Sequence, residues 1–277
     1  LLPVSSASIE RAIELNGVAV QANLEAFRLG RRLAAEPQLL AELEDVVDTE
    51  EAGPAPLTGK LSRMADQIGG DAELQEILAY RLPELADFQN TKYAQQFTDD
   101  ITAVRAVEQS LGSDCSDLSQ VAARMLYKAM AYKDEYEVAR LALKSDIVGQ
   151  AKARFGPNAK VSYQLKPPTL KSVGYNKKIA IPEKAGRAMF EGLKRTKRMR
   201  GKALDPFGRT EERRIERQLI DDYRDLLTTL MSTLSAENYD QAVTIAGLYD
   251  MVRGFDDIKL ANVEQYRTQL ADALAGY

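Results

Sequence analysis

The sequence predicts a mainly α, multi-helix globular domain with a small two-stranded β-ribbon inserted near residues 160–182. Three observations predict it. Apolar residues recur at spacings of three and four along most of the chain, the period of one helix face. Gly, Pro, Asn, Asp and Ser punctuate those runs where helices begin or end. A single stretch, 161–165, alternates apolar Val161, Tyr163 and Leu165 with Ser162 and Gln164, the period of a strand.

Ser6 or Ser8 is placed to cap a first helix running to about Arg32, with Ile9, Ile13, Val20, Leu24 and Phe27 on its apolar face. Gly17 falls inside that pattern, where glycine costs ~1 kcal/mol against alanine, so a close backbone approach is expected there. Arg28, Arg31 and Arg32 suit the negative end of the helix. Residues 36–59 read as an acidic Gly/Pro linker. Glu42, Glu44, Asp45, Asp48, Glu50 and Glu51 precede Gly53-Pro54-Ala55-Pro56 and Gly59. The linker divides a first segment, 1–35, from a helical domain, 60–277.

A short helix is expected at about 60–68. From Asp71, Leu74, Ile77, Leu78, Leu82, Leu85 and Phe88 share a face, with Pro83 expected to bend or divide the helix before Phe97, Ile101 and Val104 extend it to Leu111-Gly112. Asp114 or Ser116 opens the next helix. Its stripe of Leu118, Val121, Leu126, Ala129, Tyr132, Tyr136 and Ala139 predicts one helix to about Leu143. Ser145 can cap a shorter helix ending at Phe155-Gly156-Pro157. Pro167-Pro168 ends the first strand, and 173–175 or 178–181 can supply its partner. Helix resumes over 183–200. Asp205-Pro206-Phe207-Gly208 is a turn signal. Thr210 caps a long helix carrying Ile215, Leu219, Tyr223, Leu226, Leu230 and Leu234. Ser235 or Asn238 starts another, to Leu248, and Asp256 or Asp257 a last one, to about Leu274.

The 277 residues carry a formal net charge of −4, with one cysteine and no histidine. This chain alone therefore builds no Ser-His-Asp or Cys-His catalytic unit. It builds no Cys₄ or Cys₂His₂ zinc site and no four-cysteine iron–sulfur site. It forms no internal disulfide, which suits a reducing, cytoplasmic compartment. No run approaches the ~20 apolar residues of a membrane-spanning helix. The opening Leu1-Leu2-Pro3-Val4 reads as a cut inside a longer chain.

Charge is unevenly spread. Residues 36–114 hold 17 acids and 5 bases, whereas residues 171–202 hold 11 bases and 2 acids. The densest run contains Lys194, Arg195, Lys197, Arg198, Arg200 and Lys202. Such a run can hold phosphates of a nucleic acid or of coenzyme A, or it can meet an acidic protein surface. The interleaved aromatics of single-strand binding are missing and the chain is acidic overall, which favours the acidic surface over nucleic acid.

A second polar cluster, Tyr132, Lys133, Asp134, Glu135, Tyr136, Glu137 and Arg140, lies on an otherwise apolar helix. Asp134 with Glu137, or Lys133 with Glu137, can hold a partner arginine or a cation. The structural alternative, fixed helix–helix contacts and local ion pairs, is the expected role. Glu211 with Arg214 and Arg213 with Glu216 stand at i,i+3 and can pair, on a face read as mostly solvated or salt-bridged. Gly53 to Lys60 fails as a phosphate loop, since five residues separate its glycines and Leu61 follows the lysine. Gly70-Asp71 with Asn90 fails as a thiamine signature, because Ala72 replaces the second glycine. Asp71 is expected to be a helix cap, and Cys115 incidental.

The order of several of these segments resembles a known family. Residues 9–20, with Asn23-Leu24, Ala26-Phe27-Arg28 and Gly30-Arg31, look like the end of the gamma-type domain of 2-oxoacid:ferredoxin oxidoreductases. Residues 130–141 are similar to the C-terminal region of fused indolepyruvate ferredoxin oxidoreductases. So are Pro167-Pro168, Arg200-Gly201, Leu204 to Gly208 with Glu211-Glu212-Arg213, and Arg253-Gly254-Phe255. The resemblance implies that 1–35 is the last helix of a gamma-type domain and that 60–277 is a non-catalytic helical domain. The full-length enzyme would decarboxylate an aryl 2-oxo acid with thiamine diphosphate and Mg, pass electrons through a 4Fe-4S cluster to ferredoxin, and form an acyl-coenzyme A. Its thiamine and transfer domains would lie upstream in the same polypeptide, in a homo-oligomer. No catalytic residue carries over to this chain. A free-standing helical module that uses 171–202 on an anionic partner is the alternative, followed by an enzyme working through carboxylates and lysine.

Overall fold

Helix ends, more than helix faces, decide how this chain is assembled. A computed structural model describes residues 4–36, 39, 53–112, 116–165, 179–202, 205–208, 210–254 and 256–277. The protein is mainly α, with twelve α-helices and one two-stranded antiparallel sheet among the described residues. It divides into two units, Leu1–Ala55 and Pro56–Tyr277. Most of the expected acidic linker, and Cys115, lie outside the described residues.

In the first unit the single helix expected from the sequence is two, α1 (Ser6–Asn16) and α2 (Val20–Ala35). The cap is Ser5, whose Oγ accepts from the Ser8 amide at 3.1 Å, rather than Ser6 or Ser8. Gly17 ends α1 at φ +69° and donates its amide to the Glu14 carbonyl. Nothing lies within 4 Å of a Cβ built on it, so the left-handed cap, not a close approach, explains this glycine. Leu24 is buried in the hairpin, and Arg28 clasps Glu10 through two hydrogen bonds of 3.2 and 2.6 Å.

The second unit opens with α3 (Gly59–Ile68), α4 (Ala72–Phe88), α5 (Thr91–Ser110) and α6 (Asp117–Met130). Pro83 sits inside α4 without dividing it. The division comes at Gln89-Asn90, where the Asn90 side chain takes the Tyr93 amide at 2.9 Å and starts a new helix. The stripe from Leu118 to Ala139 is likewise two helices. It breaks after α6, and Asp134 caps α7 (Glu135–Lys144). Asp146, not Ser145, caps α8 (Ile147–Phe155).

Strands β1 (Ser162–Leu165) and β2 (Ile179–Pro182) pair antiparallel, with Tyr163 opposite Ile181. The alternative partner at 173–175 lies outside the described residues. Then follow α9 (Glu183–Thr196), a 3₁₀ turn (Lys197–Met199), α10 (Glu211–Thr233), α11 (Tyr239–Gly247), a second 3₁₀ turn (Leu248–Met251) and α12 (Asp256–Ala275). No helix among the described residues is long and apolar enough to cross a membrane.

α6 is the hub of this unit, packed by α4, α5, α10 and α11. Its Ala122, Ala123 and Ala129 let neighbours approach closely, while Leu118, Leu126 and Met130 fill the gaps, all buried. Each such Leu or Met contributes about 1.5–3 kcal/mol by leaving water. Among the described residues the buried core runs from Met64 to Tyr132 and resumes at Leu219. What lies between is a peripheral lobe: α9 lies along α7 and against both strands. Its small core is Phe190, 4.9 Å edge-on from the Tyr163 ring, with Gly186 under that ring.

Candidate functional site

Both charge clusters singled out in the sequence meet where the peripheral lobe joins the core. Asp134 stands at the N-cap of α7. Its Oδ1 accepts from the Glu137 amide at 2.8 Å, as a cap does. The same carboxylate receives Arg200 in a two-pronged pair, Nε to Oδ2 at 2.5 Å and Nη2 to Oδ1 at 2.8 Å. Arg200 also donates through Nη1 to the Phe88 carbonyl at the end of α4. Its guanidinium lies 3.6 Å from the centre of the Phe88 ring. A planar cation suits this arrangement, binding along its edge and stacking on its face. Asp134 thus does hold a partner arginine, one supplied by the basic run itself.

Next to it, the buried Tyr136 hydroxyl donates to Asp205 at 3.1 Å. Burial, then the Asp205 charge, pushes the Tyr136 phenol well above its usual range. Asp205 also accepts the amides of Gly201 and Phe207, which folds the turn back on Tyr136. Tyr132 is buried edge-on against Phe88 at 5.6 Å, and burial pushes its phenol up to about 12.

Three further members of the polar cluster, Glu135, Glu137 and Arg140, are held in ion pairs. Arg140 grips both oxygens of Glu137 at 2.8 and 2.7 Å and reaches Glu84 of α4 at 2.6 Å. The Glu137 bonds, against the opposing burial, hold the Arg140 guanidinium further above its usual range. Lys144 closes on the other oxygen of Glu84. Burial would raise the Glu84 carboxyl, but the bonds from Lys144 and Arg140 outweigh it and hold it below its ordinary value. Glu135 pairs with Arg213 of α10 at 3.3 Å, and Arg213 pairs with Glu216 at 2.5 Å. Glu216 is held in turn by Lys259 of α12 at 2.6 Å. The Arg213–Glu216 pair expected from the sequence is present, and because Glu216 is buried this part of α10 is the salt-bridged alternative, an internal contact, rather than the solvated one. Glu135 Oε2 has no hydrogen-bond partner among the described residues, and burial, larger than the pull of Arg213, raises its carboxyl. Lys133 alone of the seven is exposed.

The basic run divides in two. Arg200 is buried, and Lys197 is half-buried with Nζ donating to the Asp87 carbonyl. Burial lowers the Lys197 ammonium from its usual range. These two side chains, with Arg140 and Lys144, put four cations on the last turn of α4, where the helix dipole is negative and carbonyls lack helical partners. Lys194, Arg195, Arg198 and Lys202 are exposed, and none of them forms an ion pair among the described residues.

Asp71 is a cap, accepting the Leu74 amide at 2.8 Å, and Asn90 is another. No group of three or more metal-binding side chains comes together among the described residues. Sequence reasoning missed Glu84, Asp205 and Glu108. Glu108 of α5 caps α6 from outside, accepting the Leu118 amide at 2.9 Å, the Tyr239 hydroxyl at 2.6 Å and the Ser119 hydroxyl at 2.5 Å. The contacts that matter here, Glu84 with Arg140 and Lys144, Asp205 with Tyr136, and Glu108 with Leu118 and Tyr239, join residues ten to more than a hundred apart, so no local spacing marks them. Asp134-x-x-Glu137 did carry a signal: a cap residue followed by Glu at the third helical position opens a helix.

A family model described as "Family of unknown function (DUF6537)" matches residues 74–272. No curated protein and no solved structure matches the chain.

Proposed function

The chain belongs to the DUF6537 family, whose function is unknown, and from that premise we propose that it is a non-catalytic helical docking domain. Its task is to hold a basic helical face toward an acidic protein partner. One observation carries the reading. Within a single run of bases, Arg200 and Lys197 are fastened to the end of α4, while Lys194, Arg195, Arg198 and Lys202 stay exposed and unpaired among the described residues. A basic run that served only for solubility would need no such anchor. A rigidly held set of charges loses less entropy on association than a flexible one, and it steers an acidic partner in from a distance.

The sequence resemblance supplies the context of the proposal. The domain would belong to a thiamine-diphosphate-dependent oxidoreductase that oxidatively decarboxylates an aryl 2-oxo acid such as indolepyruvate. Thiamine diphosphate, Mg, the 4Fe-4S cluster and coenzyme A would be held by upstream domains of that polypeptide, and no step of that reaction is placed on residues of this chain. Ferredoxin, an acidic electron carrier, is the partner proposed for the basic face.

The test uses the full-length enzyme and purified ferredoxin. Charge reversal of Lys194, Arg195 and Arg198 to Glu is expected to weaken ferredoxin binding at least about tenfold at low salt, with a smaller difference at high salt. Indolepyruvate-dependent reduction of a viologen dye, which bypasses ferredoxin, should be unchanged. Equal ferredoxin affinity in the reversed variant overturns the docking role. Turnover of indolepyruvate by this chain alone overturns the non-catalytic one. Tighter binding of nucleic acid than of ferredoxin would replace the reading with a free-standing anion-binding module.

A further inference from the structure

A groove of about 400 Å³ opens between α4, α6 and α7, within the size range of small-molecule sites. It is separate from the basic face of α9. Met125, Ala131 and Leu141 give it apolar surface, and Tyr127, Arg81 and Lys133 give it polar groups. The Arg81 guanidinium lies over the Tyr127 ring, 4.4 Å from its centre.

Three carboxylates also line it, and each is already engaged. Glu137 is held through both oxygens by Arg140, Glu84 by Arg140 and Lys144, and Asp250 by Lys128 and Arg253. Arg81 and Lys133, by contrast, form no hydrogen bond or ion pair among the described residues, and neither does the Tyr127 hydroxyl. The acids of the wall are neutralised from within, and two cations and a phenol are left facing the recess. Unpaired cations beside apolar surface select a ligand with an anionic head and an apolar body. The Tyr127 ring helps to hold Arg81 in place, while the Arg81 N–H groups have no hydrogen-bond partner among the described residues.

We propose that this groove binds a small organic anion. A carboxylate or phosphate head is held between Arg81 and Lys133, and an apolar body lies over Met125, Leu141 and the Tyr127 ring. The inference is independent of the docking role, since it uses none of the basic residues of α9.

The probes are phenyl phosphate and 3-phenylpropionate, with uncharged 3-phenylpropan-1-ol as control, titrated against the protein carrying ¹³C-methyl methionine. Both anions, or one of them, should bind saturably at one site and shift the Met125 methyl resonance; the stronger identifies the head group. The alcohol should bind at least about tenfold more weakly. Arg81→Gln and Lys133→Gln should each weaken the anion about fivefold or more; the unfolding midpoint should be unchanged for Lys133→Gln, which loses no ion pair, and fall only slightly for Arg81→Gln, which loses its contact with the Tyr127 ring. Lys194→Gln, outside the groove, should bind like the parent. No saturable binding up to about 10 mM, equal binding of the alcohol, or parent-like affinity in both groove variants overturns the proposal.

Discussion

Arg200 and Asp134 stand 66 residues apart in the chain and meet in a two-pronged ion pair, with both side chains 4% exposed. This pair fastens the peripheral lobe to the core. It joins the turn after α9 to the first turn of α7, and Arg200 carries the join on to the Phe88 carbonyl at the end of α4.

Arg200→Met is therefore expected to destabilise the protein by about 3–5 kcal/mol, because it leaves a buried carboxylate without its cation. Asp134→Asn keeps a good capping side chain for α7 yet strands the guanidinium, so its loss should be of similar size. The double variant should lose less than the sum of the two, by about 0.5–3 kcal/mol. Urea unfolding of the four proteins closes the cycle, and an additive result would mean that the pair contributes nothing beyond packing.

Two carboxylates of the same region should answer pH in opposite senses. Glu84 is held below its ordinary 4.5, with burial outweighed by Lys144 and Arg140. Its contribution is present above that value and lost as pH falls through the lower folded one. Glu135 is raised above 4.5 by burial, which exceeds the pull of Arg213. Its ionisation weakens the fold as pH rises from 4.5 through the raised folded value. Urea midpoints at about pH 4 and about pH 7 should show the deficit of Glu84→Gln widening at the higher pH. The deficit of Glu135→Gln should narrow or become a gain. Parallel behaviour of the two variants would contradict the burial assigned to Glu135.

The two mid-helix glycines of α9 differ in what surrounds them. A Cβ on Gly186 would fall 2.4 Å from Tyr163 Cδ2, whereas a Cβ on Gly192 would meet nothing within 4 Å. Gly186→Ala must push the Tyr163 ring off Phe190 and should destabilise by about 1–3 kcal/mol. Gly192→Ala should stabilise by about 0.5–1 kcal/mol, the ordinary helix preference for alanine. Thermal unfolding of both decides the matter. Stabilisation by Gly186→Ala would show that α9 does not pack closely on the ribbon.

Such helix faces were legible in the sequence because an apolar stripe repeats whatever its surroundings. Leu74, Leu78, Leu82 and Leu85 announce α4, and Leu219, Tyr223, Leu226 and Leu230 announce α10. Breaks were legible only where a special residue enforced them. The gap between α6 and α7 was hidden because Tyr132, Tyr136 and Ala139 keep the stripe in phase across it. Pro83 pointed to a break that the helix tolerates. In the site, Tyr132 and Tyr136 were readable as buried from their spacing. The division of the basic run was not, since Arg200 resembles its neighbours until Asp134 and Phe88 are brought to it from two other places in the chain.

Glu108 is fully buried and caps α6 from a neighbouring helix. Amides in the first turn of a helix have no helical acceptor and ordinarily exchange with solvent readily. The Leu118 amide is instead held by Glu108 Oε1 at 2.9 Å, beside the Tyr239 hydroxyl at 3.3 Å. It should therefore exchange as slowly as amides in the middle of α6. Glu108→Ala removes that acceptor and leaves the Arg105 guanidinium without its Glu108 pair at 3.2 Å. The Ser119 and Tyr239 hydroxyls lose their acceptor too, so a loss of about 3–5 kcal/mol is expected. Glu108→Gln retains one carbonyl oxygen for the Leu118 amide and should lose less. In native-state hydrogen exchange the alanine variant should free the Leu118 amide before the rest of α6 opens, and the glutamine variant should not. Fast exchange at Leu118 in the parent protein would mean that the first turn of α6 is capped by water rather than by α5.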